Sequence, residues 1–314
     1  MILNVMYSCN NQYIIQAAVS MISLFENNRD FQEINIYFIE DNLSESDKDL
    51  LRKVTYDYNR QIYLYSLTQI CNGLHLNTKA RHPNTIYSKI FTGFVTKADK
   101  IIYIDCDTII NGSLYELYNE DISDYLIGGV MMPYSNNIKT KLGLNACDAY
   151  ICDGFVLFNL IKWRKGNIEE KCVDYINKCQ GSPLMLSEGT INYVCKGKIK
   201  ILPPKYNLMS HMILMKRSQI MKLFDVRIYY DEKELSEAKI QPVVIHFLNE
   251  LYIRPWYINS DHPYKKYYLR YLDYLPQKEA LGNGKLSKRT MLTRLLFKIL
   301  PFSIFNALYH LIKN

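Results

Sequence analysis

Along the first third of the chain the apolar positions switch repeatedly between a run and a helical period. Residues 3–7 are a short apolar run of strand length, and residues 8–13 form a polar loop. Ile15, Ala18, Val19, Ile22 and Phe25 then recur on one helical face. Residues 34–39 read as a second strand. Ser44 is placed to cap a helix that carries Leu50, Leu51 and Val54. Residues 61–65 make a third strand, residues 87–95 a helical stretch, and residues 101–104 a strand apolar on both faces. Strands alternating with helices through residue 110 predict a mostly parallel sheet covered on both faces.

Beyond that point Asn111-Gly112 marks a turn, 114–117 a short helix and 125–130 an apolar stretch. A buried strand is expected over 154–160, and an amphipathic helix over 162–179 with Trp163 near its start. A helix opens at Glu188-Gly189-Thr190-Ile191-Asn192, and a last strand covers 243–247 ahead of Arg254-Pro255-Trp256.

The final stretch has a different character. In residues 286–300, Met291, Leu292, Leu295, Leu296 and Ile299 fall on one side. Lys288, Arg289, Thr293, Arg294 and Lys298 fall mostly on the other. Pro301 interrupts the pattern, and Ile304, Phe305, Leu308, Tyr309 and Ile312 follow. Such a basic amphipathic segment reads either as a dock on an anionic membrane surface or as a helix packed on the protein's own core.

Charge sharpens this division. The 314 residues carry a net charge of +7, but seven basic residues and one acidic residue lie in 278–314, which leaves +1 for the rest. A nucleic-acid-binding body is therefore not expected. Eight cysteines without a C-x-x-C pair fit reduced thiols in a cytoplasm. The start lacks the basic region and cleavage site of a signal peptide, and no run is long enough to span a membrane.

The chemistry concentrates at Ile104-Asp105-Cys106-Asp107. Residues i and i+2 share a direction, so a strand ending here turns Asp105 and Asp107 towards one point beyond its carboxyl end. Open α/β sheets bind ligands at that edge. Two close carboxylates repel unless they share a cation or a proton, and a hard divalent ion suits them. An Asp-rich turn without a ligand is the other reading.

Five marks occur in order: Asn10-Asn11-Gln12-Tyr13; the Asp105–Asp107 motif; Asp153-Gly154-Phe155 running to Asn159-Leu160 with Lys162-Trp163-Arg164; Glu188-Gly189-Thr190-Ile191-Asn192; and His246-Phe247 ahead of Arg254-Pro255-Trp256. Together they resemble the family 8 glycosyltransferases, whose bacterial members build lipopolysaccharide, capsule and other surface glycans. The resemblance implies a single Rossmann-like nucleotide-diphosphate-sugar transferase domain of the A type over residues 1–260. A C-terminal amphipathic helical tail, 261–314, would associate with the membrane.

It also implies a retaining transfer of galactose or glucose from a UDP-hexose to a glycan or glycolipid acceptor, with Mn2+ (or Mg2+) as cofactor. On this resemblance Asp105, Asp107 and His246 ligate the metal, with Cys106 between the two acids. Arg254 holds the diphosphate, and Asn249 or Glu250 stands at a phosphate-contacting glycine of the family. Ser8, Asn10, Gln12 and Tyr13 meet the nucleoside. Relatives carry Asp where Asn10 and Asn11 stand. An amide accepts from the uracil imide but can also flip and donate, so a cytidine donor stays open.

Lys89 takes the place of a family arginine. Glu188 is the candidate beside the reacting sugar, to steady an oxocarbenium-like transition state or to act as nucleophile, with a front-face route equally open, and Asp153 would touch donor-sugar hydroxyls or the acceptor. The expected location is the cytoplasmic face of the cell membrane. Two rivals stand beside this reading. A nucleotidyltransferase would also place acids at strand ends, but it would carry a glycine-rich basic first loop, which is absent here. The other rival is a nucleotide-sugar-binding protein without turnover.

Overall fold

The structure is a computed structural model that describes residues 1–71, 84–248, 251–276 and 282–313. Seven strands form one sheet: β1 (Ile2–Asn10), β2 (Glu33–Asp41), β3 (Gln61–Ser66), β4 (Lys100–Ile104), β6 (Ile127–Met131), β7 (Ile151–Asn159) and β8 (Ile199–Ile201). β5 (Thr108–Ile110) pairs with β9 (Val244–His246) in a separate two-stranded ribbon. The sheet order is β3-β2-β1-β4-β7-β6-β8, and β7 alone of these strands runs antiparallel to its neighbours. An apolar run buried on both faces does not reveal its direction, so the expected parallel character holds for most pairs and fails at β7.

Strand β4 shows why the sheet is two-sided. Ile102 and Ile104 enter the larger core, while Ile101 and Tyr103 enter a second core on the opposite face. The first helix, Ile14–Asn27, is buried on nearly every side rather than along one stripe. The ribbon strand β5 and the helix Lys265–Leu272 pack over what would be its outer face. Its polar residues are satisfied internally: Ser20 bonds Tyr7 and Thr108, and the Ser23 hydroxyl donates to the Ser20 carbonyl. Ser44 caps the helix Glu45–Asp57 in a reciprocal box with Asp47, as expected.

The expected helix over 162–179 is two helices, Leu160–Lys165 and Ile168–Lys178. Asn167 adopts the left-handed region (φ 50°) between them and breaks the run.

Past residue 260 the chain is still part of the body. Tyr268, Tyr271, Leu272 and Leu275 belong to the main core, and the Asn27 amide donates to the Tyr271 hydroxyl. The tail forms two helices, Lys288–Ile299 and Phe302–Lys313. Leu296, expected beside the outward apolar residues, packs inward with Phe297, and Phe305 is buried. Met291, Leu292, Leu295 and Ile299 stay exposed. No helix among the described residues is long and apolar enough to cross a membrane.

Candidate active site

After β1 the chain builds β2 and β3 on one side and then crosses to β4 on the other. The ends of β1 and β4 therefore flank a switch point, where open α/β sheets leave a crevice. Ser8 and Asn10 lie at the end of β1, and Asp105 follows β4 directly. Two further connections complete the site. The Asp105 amide donates to the Gly154 carbonyl at 2.8 Å, which joins the start of β7 to the acidic turn. In the β5–β9 ribbon Thr108 pairs with His246, which carries the imidazole across to the acids.

The ligand atoms of Asp105, Asp107 and His246 all lie within 4.8 Å of one another. His246 Nε2 is 3.1 Å from Asp107 Oδ1 and 4.0 Å from Asp105 Oδ2. Its other nitrogen, Nδ1, meets Asn207 Oδ1 at 3.0 Å. That contact fixes the tautomer and leaves the Nε2 lone pair for a metal. Two carboxylates and an imidazole make an oxygen-rich set with one nitrogen, which suits Mn2+ and accommodates Mg2+ less well. Gly154 keeps the space clear, because a Cβ there would lie 2.3 Å from His246 Cε1 and 2.6 Å from Asp105 Oδ2. These residues fit a divalent ion.

Two cations bracket the acids. Lys89, with 4% of its side chain exposed, reaches Asp153 Oδ2 at 3.1 Å and Asp105 Oδ1 at 3.5 Å, over the Tyr103 ring. Burial works against its charge, yet Asp105 and Asp153 outweigh it and hold the ammonium above its ordinary pKa. Arg254 donates to Asp107 Oδ2 at 2.8 Å, to the Phe247 carbonyl at 3.0 Å and to the Tyr13 hydroxyl. It also lies over the Trp256 ring.

The two acids respond differently. Burial pushes Asp105 up, helped by Asp107 and Asp153 and opposed by Lys89 and His246. For Asp107 burial also pushes up, but His246 and Arg254 win and bring it down to about 2. Burial alone would lower His246, but Asp107 and Asp105 outweigh it and raise its pKa.

A cleft of 290 Å³ opens beside Asp105, with Ser8, Lys89, Tyr103, Asp153 and Glu188 among its walls. The Ser187 hydroxyl donates to Asp153 Oδ2 at 2.6 Å, and the Tyr150 hydroxyl donates to Glu188 Oε1 at 3.0 Å. Burial raises Glu188 to about 8, with the charge of Asp153 adding to the effect. Met185 and Leu186 both sit at positive φ (59° and 53°) just before Ser187. Two adjacent left-handed residues without glycine are strained, and such strain collects at functional sites.

Most of the expected residues thus meet at one place. Cys106 differs: its side chain is buried inward, with Sγ donating to the Ser8 carbonyl, because alternation between Asp105 and Asp107 turns it away. Asn10 spends its side-chain oxygen on the Gln12 amide at 3.1 Å and so caps the short turn Asn11–Tyr13. Gln12 itself is exposed. Asn249 and Glu250 lie outside the described residues. Asn207, Tyr103 and Tyr150 were not anticipated, and no local pattern marks any of them. Gly154→Ala is expected to weaken Mn2+ binding at least about tenfold and to destabilise the fold by about 1–3 kcal/mol through overpacking, as read by calorimetry and thermal melting.

A family model for glycosyl transferase family 8 matches residues 4–259. A candidate glycosyltransferase of Haemophilus influenzae is 27% identical over 217 residues, covering 65% of this chain and 63% of that protein. A lipopolysaccharide 1,2-glucosyltransferase of Escherichia coli is 26% identical over 217 residues, covering 65% of this chain and 62% of that protein. The chain thus spans less than two thirds of the length of these two relatives. The galactosyltransferase LgtC, crystallised with donor and acceptor sugar analogues, superposes with a TM-score of 0.71 at 18% identity, over 88% of this chain and 97% of that one. At that identity the likeness establishes the fold, an A-type α/β architecture.

Proposed function

The chain belongs to glycosyltransferase family 8, and from that premise we propose that it is a retaining, metal-dependent hexosyltransferase. It takes galactose or glucose from a UDP-sugar and places it on a hydroxyl of a surface glycan, of the lipopolysaccharide or capsule kind. The observation that carries this reading is the meeting of Asp105, Asp107 and His246 at the switch-point crevice. Mn2+ held by these three would supply Lewis-acid stabilisation of the charge on the departing diphosphate.

The chain's own residues supply the rest. Arg254 is placed to move from Asp107 to the diphosphate oxygens, which its planar fork suits. Lys89 holds Asp105 and Asp153 at fixed separation. The polar loop from Ser8 to Tyr13, with Asn10 and Gln12, lies where it would receive the nucleoside. Asp153 faces the donor sugar. A Glu188 that keeps its proton near neutral pH favours a hydrogen-bonding role over that of a nucleophile. The supported route is then front-face. The anomeric bond to the diphosphate breaks as the acceptor oxygen bonds on the same face, and the acceptor proton passes to the leaving phosphate oxygen.

The test is UDP release from a panel of UDP-sugars and CDP-sugars, with Mn2+ and with EDTA. Slow release from one UDP-sugar that EDTA abolishes is expected. Tight metal-dependent UDP binding with no release from any donor, even with acceptors present, would favour a binding protein instead.

Glu188→Gln should keep activity at pH 7 within about tenfold, the scale of one altered hydrogen bond. A loss of several orders of magnitude would return the double-displacement route. The same variant has a stability signature. Folded Glu188 holds its proton up to about 8, while an unfolded chain releases it near 4.5. Its contribution is therefore complete below 4.5 and is lost as pH rises through 8. Melting temperatures across that interval should decline more steeply for the wild type than for Glu188→Gln.

The tail supports a peripheral position on the cytoplasmic face of the membrane. Met291, Leu292, Leu295 and Ile299 are exposed, with the exposed Lys288 and Lys298 on the same helix. Deleting the tail is a poor test because Phe305 is part of the core. Met291→Asp with Leu295→Asp is cleaner: co-sedimentation with anionic liposomes should fall at least about tenfold, while the melting temperature stays unchanged. Full retention on the liposomes would reject the tail as anchor.

A further inference from the structure

A groove of 320 Å³ runs between the tail helices and the body and shares no lining residue with the cleft over Asp105. Met132, Leu214, Phe224 and Phe297 give it apolar walls. These side chains belong to the margin of the main core yet are only partly buried. The void has the size and lining of a small-ligand site.

Among the described residues two polar groups there are left unpaired, one imidazole nitrogen and one guanidinium. His211 is 1% exposed and lines the groove. Its Nε2 faces the Tyr229 hydroxyl at 2.8 Å, and its Nδ1 has no hydrogen-bond partner. A buried unpaired nitrogen is costly, so an orphan within apolar walls points to a ligand that brings a polar atom among apolar ones. At the rim Arg289 is exposed and has no acidic partner among the described residues. Arg294, by contrast, is bound to Asp261 at 2.5 Å and lies over the Tyr252 ring. One wall of the groove borders the candidate reacting centre. Tyr134 lines it and packs edge-on against Tyr150 at 4.9 Å, and the Tyr150 hydroxyl bonds Glu188.

We propose that this groove binds the hydrocarbon chain of an anionic amphiphile, with Arg289 on its phosphate and His211 on a polar atom of its linkage. The inference rests on the glycosyltransferase reading and narrows the acceptor to a lipid-linked sugar phosphate, with the Tyr134 wall between its chain and the transfer site. Charge complementarity favours this occupant: Arg289 at the mouth has no acidic partner among the described residues, and the walls are mostly apolar.

The probe is dodecyl phosphate below its micelle concentration, titrated calorimetrically into the full-length protein, with inorganic phosphate as the control. Saturable binding at one site is expected, with none for inorganic phosphate. Arg289→Gln, an exposed change, should weaken it at least about tenfold, as loss of a charge-assisted contact does. Thr293→Trp, which fills the rim, should abolish it. Ile240→Asp, an exposed change outside the groove's lining, should leave it unchanged. Absence of saturable binding to wild type, equal binding of inorganic phosphate, or equal loss in Ile240→Asp would each overturn the proposal. If Thr293→Trp fails to fold, Arg289→Gln decides. UDP release measured in parallel separates the two readings. Release that persists without dodecyl phosphate binding overturns the groove alone. Binding without release supports the groove and counts against the transferase.

Discussion

Asp107→Ala should lower metal-dependent transfer by about three orders of magnitude, several kcal/mol of transition-state stabilisation. Of the two acids Asp107 makes the shorter contacts to basic side chains: His246 Nε2 lies 3.1 Å from one oxygen and Arg254 2.8 Å from the other, whereas Asp105 lies 3.5 Å from Lys89 and 4.0 Å from His246. Those partners keep it ionised even in mild acid, so it offers a metal its full charge at every working pH. The alanine variant loses that charge, frees Arg254 from its parked position and leaves His246 facing Asp105 alone. Calorimetric titration should show Mn2+ affinity collapsing along with turnover, and the melting temperature should fall as well, because Arg254 and His246 lose a buried partner. Near-normal turnover in the variant would remove the metal hypothesis.

Lys89→Met should cost stability as well as activity, by about 3–5 kcal/mol, the usual consequence of removing one partner from a buried ion pair. The methionine fills nearly the same space, so the effect would come from charge. Asp105 and Asp153 would face each other across an apolar side chain, with Asp107 close by. A bound divalent ion can replace part of the missing charge. Mn2+ should therefore raise the melting temperature of Lys89→Met by more than it raises that of wild type. A variant that melts like wild type in EDTA would show that Lys89 is dispensable to the fold. An equal Mn2+ response in both proteins would show that it is independent of the metal site.

The parts of this site that depend on neighbours in the chain were legible before the structure. The apolar run ending at Asp105 gave the strand and its carboxyl end, and the spacing of two placed Asp107 beside it. The resemblance supplied His246, Arg254 and Glu188. What stayed hidden depends on contacts made across the fold. Asn207 is an ordinary polar residue until the ribbon sets it against His246. Tyr150 and Tyr103 are two among many tyrosines. Gly154 was visible as part of a motif, but its reason, the closeness of an imidazole and a carboxylate, was not. The helix Ile14–Asn27 carried an apolar stripe in the sequence, and its serines are buried because the strand β5, which bonds Ser20 and Ser23, and the helix Lys265–Leu272 are laid over it. In the tail, periodicity grouped Leu296 with Leu295, but packing divides them: Leu296 turns towards the core and Leu295 towards solvent.

The ribbon of β5 and β9 joins residues 139 positions apart, Asp107 and His246. Closing so long a loop is entropically unfavourable and comes late in folding. During synthesis, at roughly 5–20 residues per second, the acids would leave the ribosome on the order of ten seconds before the imidazole. A nascent chain would thus expose a half-formed cation site with two ligands and no third. The third ligand then marks a completed body, and a chain cut short before residue 246 would lack the full ligand set however well its first strands had paired.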